Sequence, residues 1–165
     1  MRILGIDPGY GITGFGLIES ERGQNRLLQC GAITTPPGMD FSARLEIIYE
    51  DMRKLLELSK PDAVAIEELF FGQNVTTGIG VAQSRGVILL AIRQAGLEVT
   101  SYKPMQVKQA LVGYGNATKH QMQDMTKRLL HLNEMPKPDD AADAIAIALC
   151  HARSSTSLLA RAQKQ

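Results

Sequence analysis

Cysteine is scarce in this chain of 165 residues: only Cys30 and Cys150 occur, far apart and both in apolar settings ("LLQCGAI" and "AIALCHA"). Their spacing suggests neither a zinc site nor a redox pair, so both read as reduced, buried thiols. No apolar run reaches the roughly 20 residues that cross a membrane. The amino terminus enters a strand-like segment without the charged and apolar pattern of an export signal. A cytoplasmic protein with no membrane partner is therefore expected. Aromatics are also few, with four phenylalanines in all, so the adjacent pair Phe70 and Phe71 takes half of them. An excess of charge of either sign is missing, the net being +1, and this alone argues for no particular partner. Its distribution is uneven: residues 1–102 sum to −3 and residues 103–165 to +4. That asymmetry hints at a side facing a polyanion, although scattered surface charge accounts for it equally well.

What is present is 44% hydrophobic residues, enough for one sizeable core, whereas two-domain nucleotide-binding folds need more chain. One domain over residues 1–153 is expected. It is followed by a tail, 154–165 ("SSTSLLARAQKQ"), that reads as a frayed helix or as disorder. Met1 to Ile6 has strand character, and "GITGFGLIES" and "RLLQCGAITT" continue it as a three-stranded antiparallel meander. Asp40 then caps a helix whose apolar positions Phe41, Leu45, Ile48, Met52 and Leu55 recur every three or four residues. "DAVAIEE" reads as a buried strand, Val75 to Ala95 as a long apolar helix and "LEVTSY" as another strand, with two or three helices to finish. This order predicts an α/β fold with a five-stranded mixed sheet flanked by helices.

The stretch "LGIDPGYGITGFG" matches the glycine fingerprint G-x-G-x-x-G at Gly9, Gly11 and Gly14. A dinucleotide site needs that turn to open a helix, whose free N–H groups face the pyrophosphate. Here the third glycine leads into a strand. A tight hairpin and close backbone approach explain the glycines better.

The aspartate before them has a counterpart. "GID" ends the first strand and "AIE" the fourth, so Asp7 and Glu67 both project from the face opposite the isoleucine. Were those strands parallel neighbours, about 4.8 Å apart, the two acids would stand side by side at the carboxyl ends, where open α/β sheets bind ligands. In "PDDAADAIAIALCHA", Asp139 can cap a helix, with Asp140 and Asp143 in its first turn. Acids there complement the helix dipole whatever else they do. Four converging carboxylates need raised pKa values or cations, and Mg²⁺ or Mn²⁺ supplies the second option. Two ions roughly 3.5 to 4 Å apart cut phosphodiesters. His151 lies about 16 Å along the helix from Asp140, too far to share them, and reads as a surface or helix-end residue.

"NATKHQ" carries a capping box, Thr118 with Gln121, that puts Lys119 at a helix start where phosphate is attracted. Lys108 lies one short amphipathic segment upstream. Each lysine is either solvated or a phosphate contact, and Phe70 and Phe71 are either core or a surface on which an unpaired base stacks.

Four linked segments, "GIDPG", "AIEE-F" with "AQSRG", "QVKQALVGYGNATK" and "DDAADAIAIA", resemble the RuvC family of bacterial crossover junction endodeoxyribonucleases in order and spacing, from Met1 to about Arg153. The resemblance implies a ribonuclease-H-like fold, Mg²⁺ dependence, a homodimer, and work beside the RuvA and RuvB branch-migration proteins. It places the catalytic, metal-holding acids on Asp7, Glu67, Asp140 and Asp143, and the important lysines on Lys108 and Lys119. The junction-contacting aromatic falls on Phe70, with no fixed family role for Phe71. The implied activity is paired nicking of two like strands of a Holliday junction in recombination and repair, leaving 5′-phosphate and 3′-hydroxyl ends. A smaller relative of the fold that matures RNA, an actin-like phosphotransferase and a silent junction-binding module are the alternatives. The Val75–Ala95 helix, with Gly78, Gly80, Ala82, Gly86, Val81, Val87 and Leu90, is a candidate dimer interface or a helix packed on its own sheet.

Overall fold

The computed structural model describes residues 1–69 and 75–162, so Phe70 and Phe71 lie outside the described residues. The chain begins as the expected meander: β1 (Arg2–Asp7), β2 (Ile12–Glu21) and β3 (Gln24–Thr34) pair antiparallel in sequence order. Helix α1 (Phe41–Ser59) follows, then β4 (Ala63–Glu67), α2 (Val75–Gln94), β5 (Val99–Tyr102), α3 (Pro104–Val112), α4 (Lys119–Leu130) and α5 (Asp139–Ala162). The five strands form one sheet in the order β3-β2-β1-β4-β5, with β4 parallel to both β1 and β5. Parallel neighbours require crossovers, and α1 and α2 supply them.

Local chemistry sets the helix ends. Asp40 caps α1 by accepting from the Ser42 and Ala43 amides at 3.0 and 3.3 Å, and Thr118 and Gln121 form the expected reciprocal box at the start of α4. The start of α5 differs from expectation. Asp139 is the first helical residue and not the cap, because the Pro138 carbonyl already accepts from Ala141 and Ala142. The helix runs on through Arg153 to Ala162. No helix among the described residues is long and apolar enough to cross a membrane.

Alternation along the strands divides the core in two. Leu4, Ile6, Val64 and Ile66 pack with Ile48, Met52, Ile88 and Ile92 of α1 and α2. Ile3, Ile18 and Ala65 face Ile145, Leu149, Val107 and Met122 of the other three helices. Each fully buried Ile or Leu contributes roughly 1.5–3 kcal/mol. Because Ile3 and Ala65 face α5, Asp7 and Glu67, four and two residues further along their strands, emerge on that same face.

Helix α5 lies against β1 and β2 at unusually short range. A Cβ on Gly5 would stand 2.0 Å from the Ala144 carbonyl oxygen, and one on Gly14 would stand 2.0 Å from that of Asp140. Gly14 pairs with Asp7 across the β1–β2 ladder. The third glycine of the apparent nucleotide fingerprint thus seats the first turn of α5 beside Asp7.

Candidate active site

The register between β1 and β4 places Ile6 opposite Ile66, so Asp7 and Glu67 end adjacent parallel strands, as the repeated order of small residue, isoleucine and acid predicts. Both strand ends open into a cavity of about 240 Å³ whose polar lining is Asp7, Glu67, Asp143, Lys108 and Lys119. Five elements meet there. β1 and β4 bring one acid each, α5 brings Asp143, and α3 and α4 bring the lysines over a floor that includes Val107 and Met122. Asp140 is not part of the lining; it sits one turn before Asp143, with its backbone against Gly14. Among the described residues no three acid, histidine or cysteine side chains already meet at one metal-binding point.

The same groups act on one another electrostatically. Burial first, then the charges of Glu67, Asp143 and Asp140, push the Asp7 carboxyl up to about 8, against the pull of Lys119. Glu67 is raised by burial and by Asp143 and is drawn down by Lys108. Burial also raises Asp143, which Lys119 opposes. Lys119 Nζ lies 2.9 Å from Asp139 and 3.7 Å from Asp143, and the Asp139 hydrogen bond is the main reason that its own pKa rises. Two roomier clefts exist elsewhere. One sets Glu19 and Glu21 among arginines at the β2–β3 turn, and the other lies between α1 and α2. Neither gathers acids from several strand and helix ends, so chemistry and not volume singles out the smaller cavity.

A mixed five-stranded sheet with helices on both faces, and an acid-lined cavity at the carboxyl ends of its parallel strands, defines a protein of the ribonuclease-H-like class. A family profile described as "Crossover junction endodeoxyribonuclease RuvC" matches residues 3–151. RuvC of Chloroflexus aurantiacus is 52% identical over 158 residues, 96% of either chain. RuvC of Brevibacillus brevis is 55% identical over 153 residues, 93% of this chain and 92% of its own. Thermus thermophilus RuvC, solved in complex with a Holliday junction substrate, superposes with a TM-score of 0.89 at 38% identity and covers 94% of each chain. The chain belongs to the RuvC family of crossover junction endodeoxyribonucleases.

Several residues around the cavity escaped the sequence reading. Asp139 is the partner of Lys119. Ser84 and Arg85 of α2 reach across to the strand ends, Ser84 Oγ donating to the Gly9 carbonyl at 2.9 Å and Arg85 Nε to the Glu67 carbonyl at 3.1 Å. One signal was available: Arg85 is the only charge between Val75 and Ile92. His151 is neither a surface nor a helix-end residue. It is half-buried within α5, with Nδ1 3.0 Å from the Tyr102 hydroxyl, and burial lowers its pKa. Helix α2 packs on its own fold along one side and is exposed along the other. Gly80 packs under the Tyr10 ring inside the fold, whereas Ile79 and Leu90 are 53% and 52% exposed and Gly86 faces open space.

Proposed function

We propose that this chain resolves four-way DNA junctions, cutting two like strands with paired nicks that leave 5′-phosphate and 3′-hydroxyl ends, in recombination and repair. The observation that carries this reading is the single cavity in which Asp7, Glu67 and Asp143 arrive from three elements and face two lysines, in a chain of this family. The family resemblance adds Asp140 to the acids and names the RuvA and RuvB branch-migration proteins as partners.

The donor set suits Mg²⁺, with Mn²⁺ as a substitute. Hard carboxylate oxygens are what these ions take, and acids held at raised pKa gain most from a cation. Two bound ions would supply an activated water and charge for the leaving oxygen. The residues themselves do the rest. Asp7 and Glu67 are held by strands and Asp143 by a buried helix, so the carboxylates keep their places as the substrate enters. Lys108 and Lys119 meet the phosphate from the opposite wall, and Lys119 has the α4 amino terminus behind it. Phe70 and Phe71, three and four residues after Glu67 in sequence, are the proposed base-stacking element.

Incubation with a synthetic mobile junction and Mg²⁺, mapping cuts on all four strands beside linear duplex and precursor RNA, tests the reading. Symmetric cuts on two like strands support it, and preference for RNA or absence of cleavage overturns it. Lys119→Ala is expected to lower turnover at saturating junction roughly 100-fold, the scale of losing one charge-stabilising donor. Its effect on affinity should be small, with a shallower salt dependence. Single-turnover rates check this.

A junction is near two-fold symmetric, so an isologous dimer places one cavity on each of two like strands. The outward stripe of Ile79, Gly86 and Leu90 on α2 is the proposed contact. Leu90→Asp should give a monomer by light scattering that converts a cruciform plasmid mainly to nicked circles and not to linear product. A dimer that still linearises the plasmid would remove α2 from the interface.

A further inference from the structure

Beyond the acids and lysines, we infer that Arg85 is a positioning residue that aims Glu67 into the cavity by holding the end of β4 through its backbone. The guanidinium bridges two adjacent strands, Nε donating to the Glu67 carbonyl at 3.1 Å and Nη2 to Ser101 Oγ at 2.7 Å. Ser101 sits on β5 opposite Ile66, and Tyr102 opposite Glu67. Arg85 therefore spans the last two rungs of the parallel pair. Beyond those rungs the Glu68 amide still donates to the Tyr102 carbonyl at 2.8 Å, so the β5 side of the ladder is closed by backbone. The Glu67 carbonyl is closed by the guanidinium.

A carbonyl left unpaired at a strand end turns towards water, and the residue's ψ angle, with the direction of its side chain, turns with it. The cation that faces the Glu67 carboxylate is Lys108, not Arg85, so Arg85 acts on placement and not on charge. Its neighbour contributes to the exit of the other acid-bearing strand: buried Ser84, together with Thr13, donates to the Gly9 carbonyl, two residues after Asp7. One turn of α2 thus grips the exits of both β1 and β4. Groups that orient metal-binding side chains from behind typically change metal affinity 10- to 100-fold when removed. A lysine could not replace the arginine, because one ammonium lacks the planar fork that reaches both oxygens.

The inference rests on the metal-dependent reading above, and its test separates the two. Binding of Mn²⁺ to the free protein, followed by the electron paramagnetic resonance of unbound ion, needs no cleavage. Arg85→Ala is expected to weaken Mn²⁺ binding about tenfold and to raise the Mg²⁺ concentration for half-maximal cleavage by a similar factor. Junction affinity in EDTA should stay unchanged. Added methylguanidinium should restore part of the Mn²⁺ affinity in Arg85→Ala, and Arg85→Lys should not match the wild type. Unchanged Mn²⁺ affinity, or a loss of junction affinity in its place, would overturn the assignment. Should Arg85→Ala fail to fold, Ser101→Ala removes one arm of the bridge and should weaken Mn²⁺ binding about threefold, a fraction of the full effect; no change there is equally fatal. A wild-type protein that binds Mn²⁺ but cuts no junction would sink the proposed function and leave the Mn²⁺ comparison intact.

Discussion

Asparagine at position 7 is expected to abolish cleavage while making the metal-free protein more stable. The carboxyl of Asp7 is enclosed by β1, β4 and α5 and faces three other acids, which together with burial push its pKa up to about 8. Asparagine keeps the shape but cannot ionise or match a carboxylate as a ligand. A fall of at least about 1,000-fold in cleavage rate, near 4 kcal/mol in the barrier, should accompany nearly unchanged junction affinity, because Asp7 offers DNA little but repulsion. Cutting at a wild-type rate by the asparagine variant would refute the role.

The stability half follows from linkage. An unfolded aspartate titrates near 3.8, and the folded one near 8. The folded state thus holds its proton more tightly, and the stability present below pH 3.8 is lost progressively as pH rises to about 8. At pH 7 the loss is on the order of 4 kcal/mol, or on the order of 10 °C in Tm for a chain of this size. In EDTA, Asp7→Asn should melt higher than wild type at pH 7 and equal to it below pH 4. Added Mg²⁺ should raise the wild-type Tm, more at pH 8 than at pH 6, and raise that of the variant less. Melting curves that coincide at all pH values would show that Asp7 titrates as an ordinary surface acid.

The second large effect is expected at a residue with no side chain. Gly14→Ala would put a carbon 2.0 Å from the Asp140 carbonyl oxygen, so the first turn of α5 must retreat by about 1.4 Å to reach ordinary contact at 3.4 Å. Overpacking of this kind costs about 1–3 kcal/mol, which the fold survives. The function is more exposed, since a displacement near 1 Å at a catalytic group costs about 100-fold in rate, and the displaced turn carries Asp140 and leads to Asp143. Circular dichroism should show a folded protein with a modestly lower Tm, and single-turnover cleavage should be about 100-fold slower. Wild-type turnover in a folded variant would mean that α5 adjusts without moving its acids.

Much of this was legible in one dimension because it rests on local rules. Alternation of small residue, isoleucine and acid in "GID" and "AIE" told which face Asp7 and Glu67 leave, and the capping box at Thr118 told where Lys119 begins its helix. The start of α5 was misjudged by one residue because Pro138 and Asp139 are both acceptable there, and only the backbone bonds to the Pro138 carbonyl choose between them. His151 was misplaced for a related reason: the partner that buries it, Tyr102, lies 49 residues away.

By itself the sequence determined the elements, their order and the faces from which the acids project, since period-two and period-3.6 patterns and helix caps act within a few residues of chain. Only the tertiary structure decided that Asp143 joins the cavity while Asp140 stays outside its lining, that Lys119 leans on Asp139, and that Arg85 closes the end of β4. Those outcomes depend on distances between segments dozens of residues apart. The place of the α5 acids is set by how closely that helix can approach two glycine-bearing strands, and the reach of Arg85 by how α2 lies across the ends of β4 and β5, quantities of packing that no local pattern encodes.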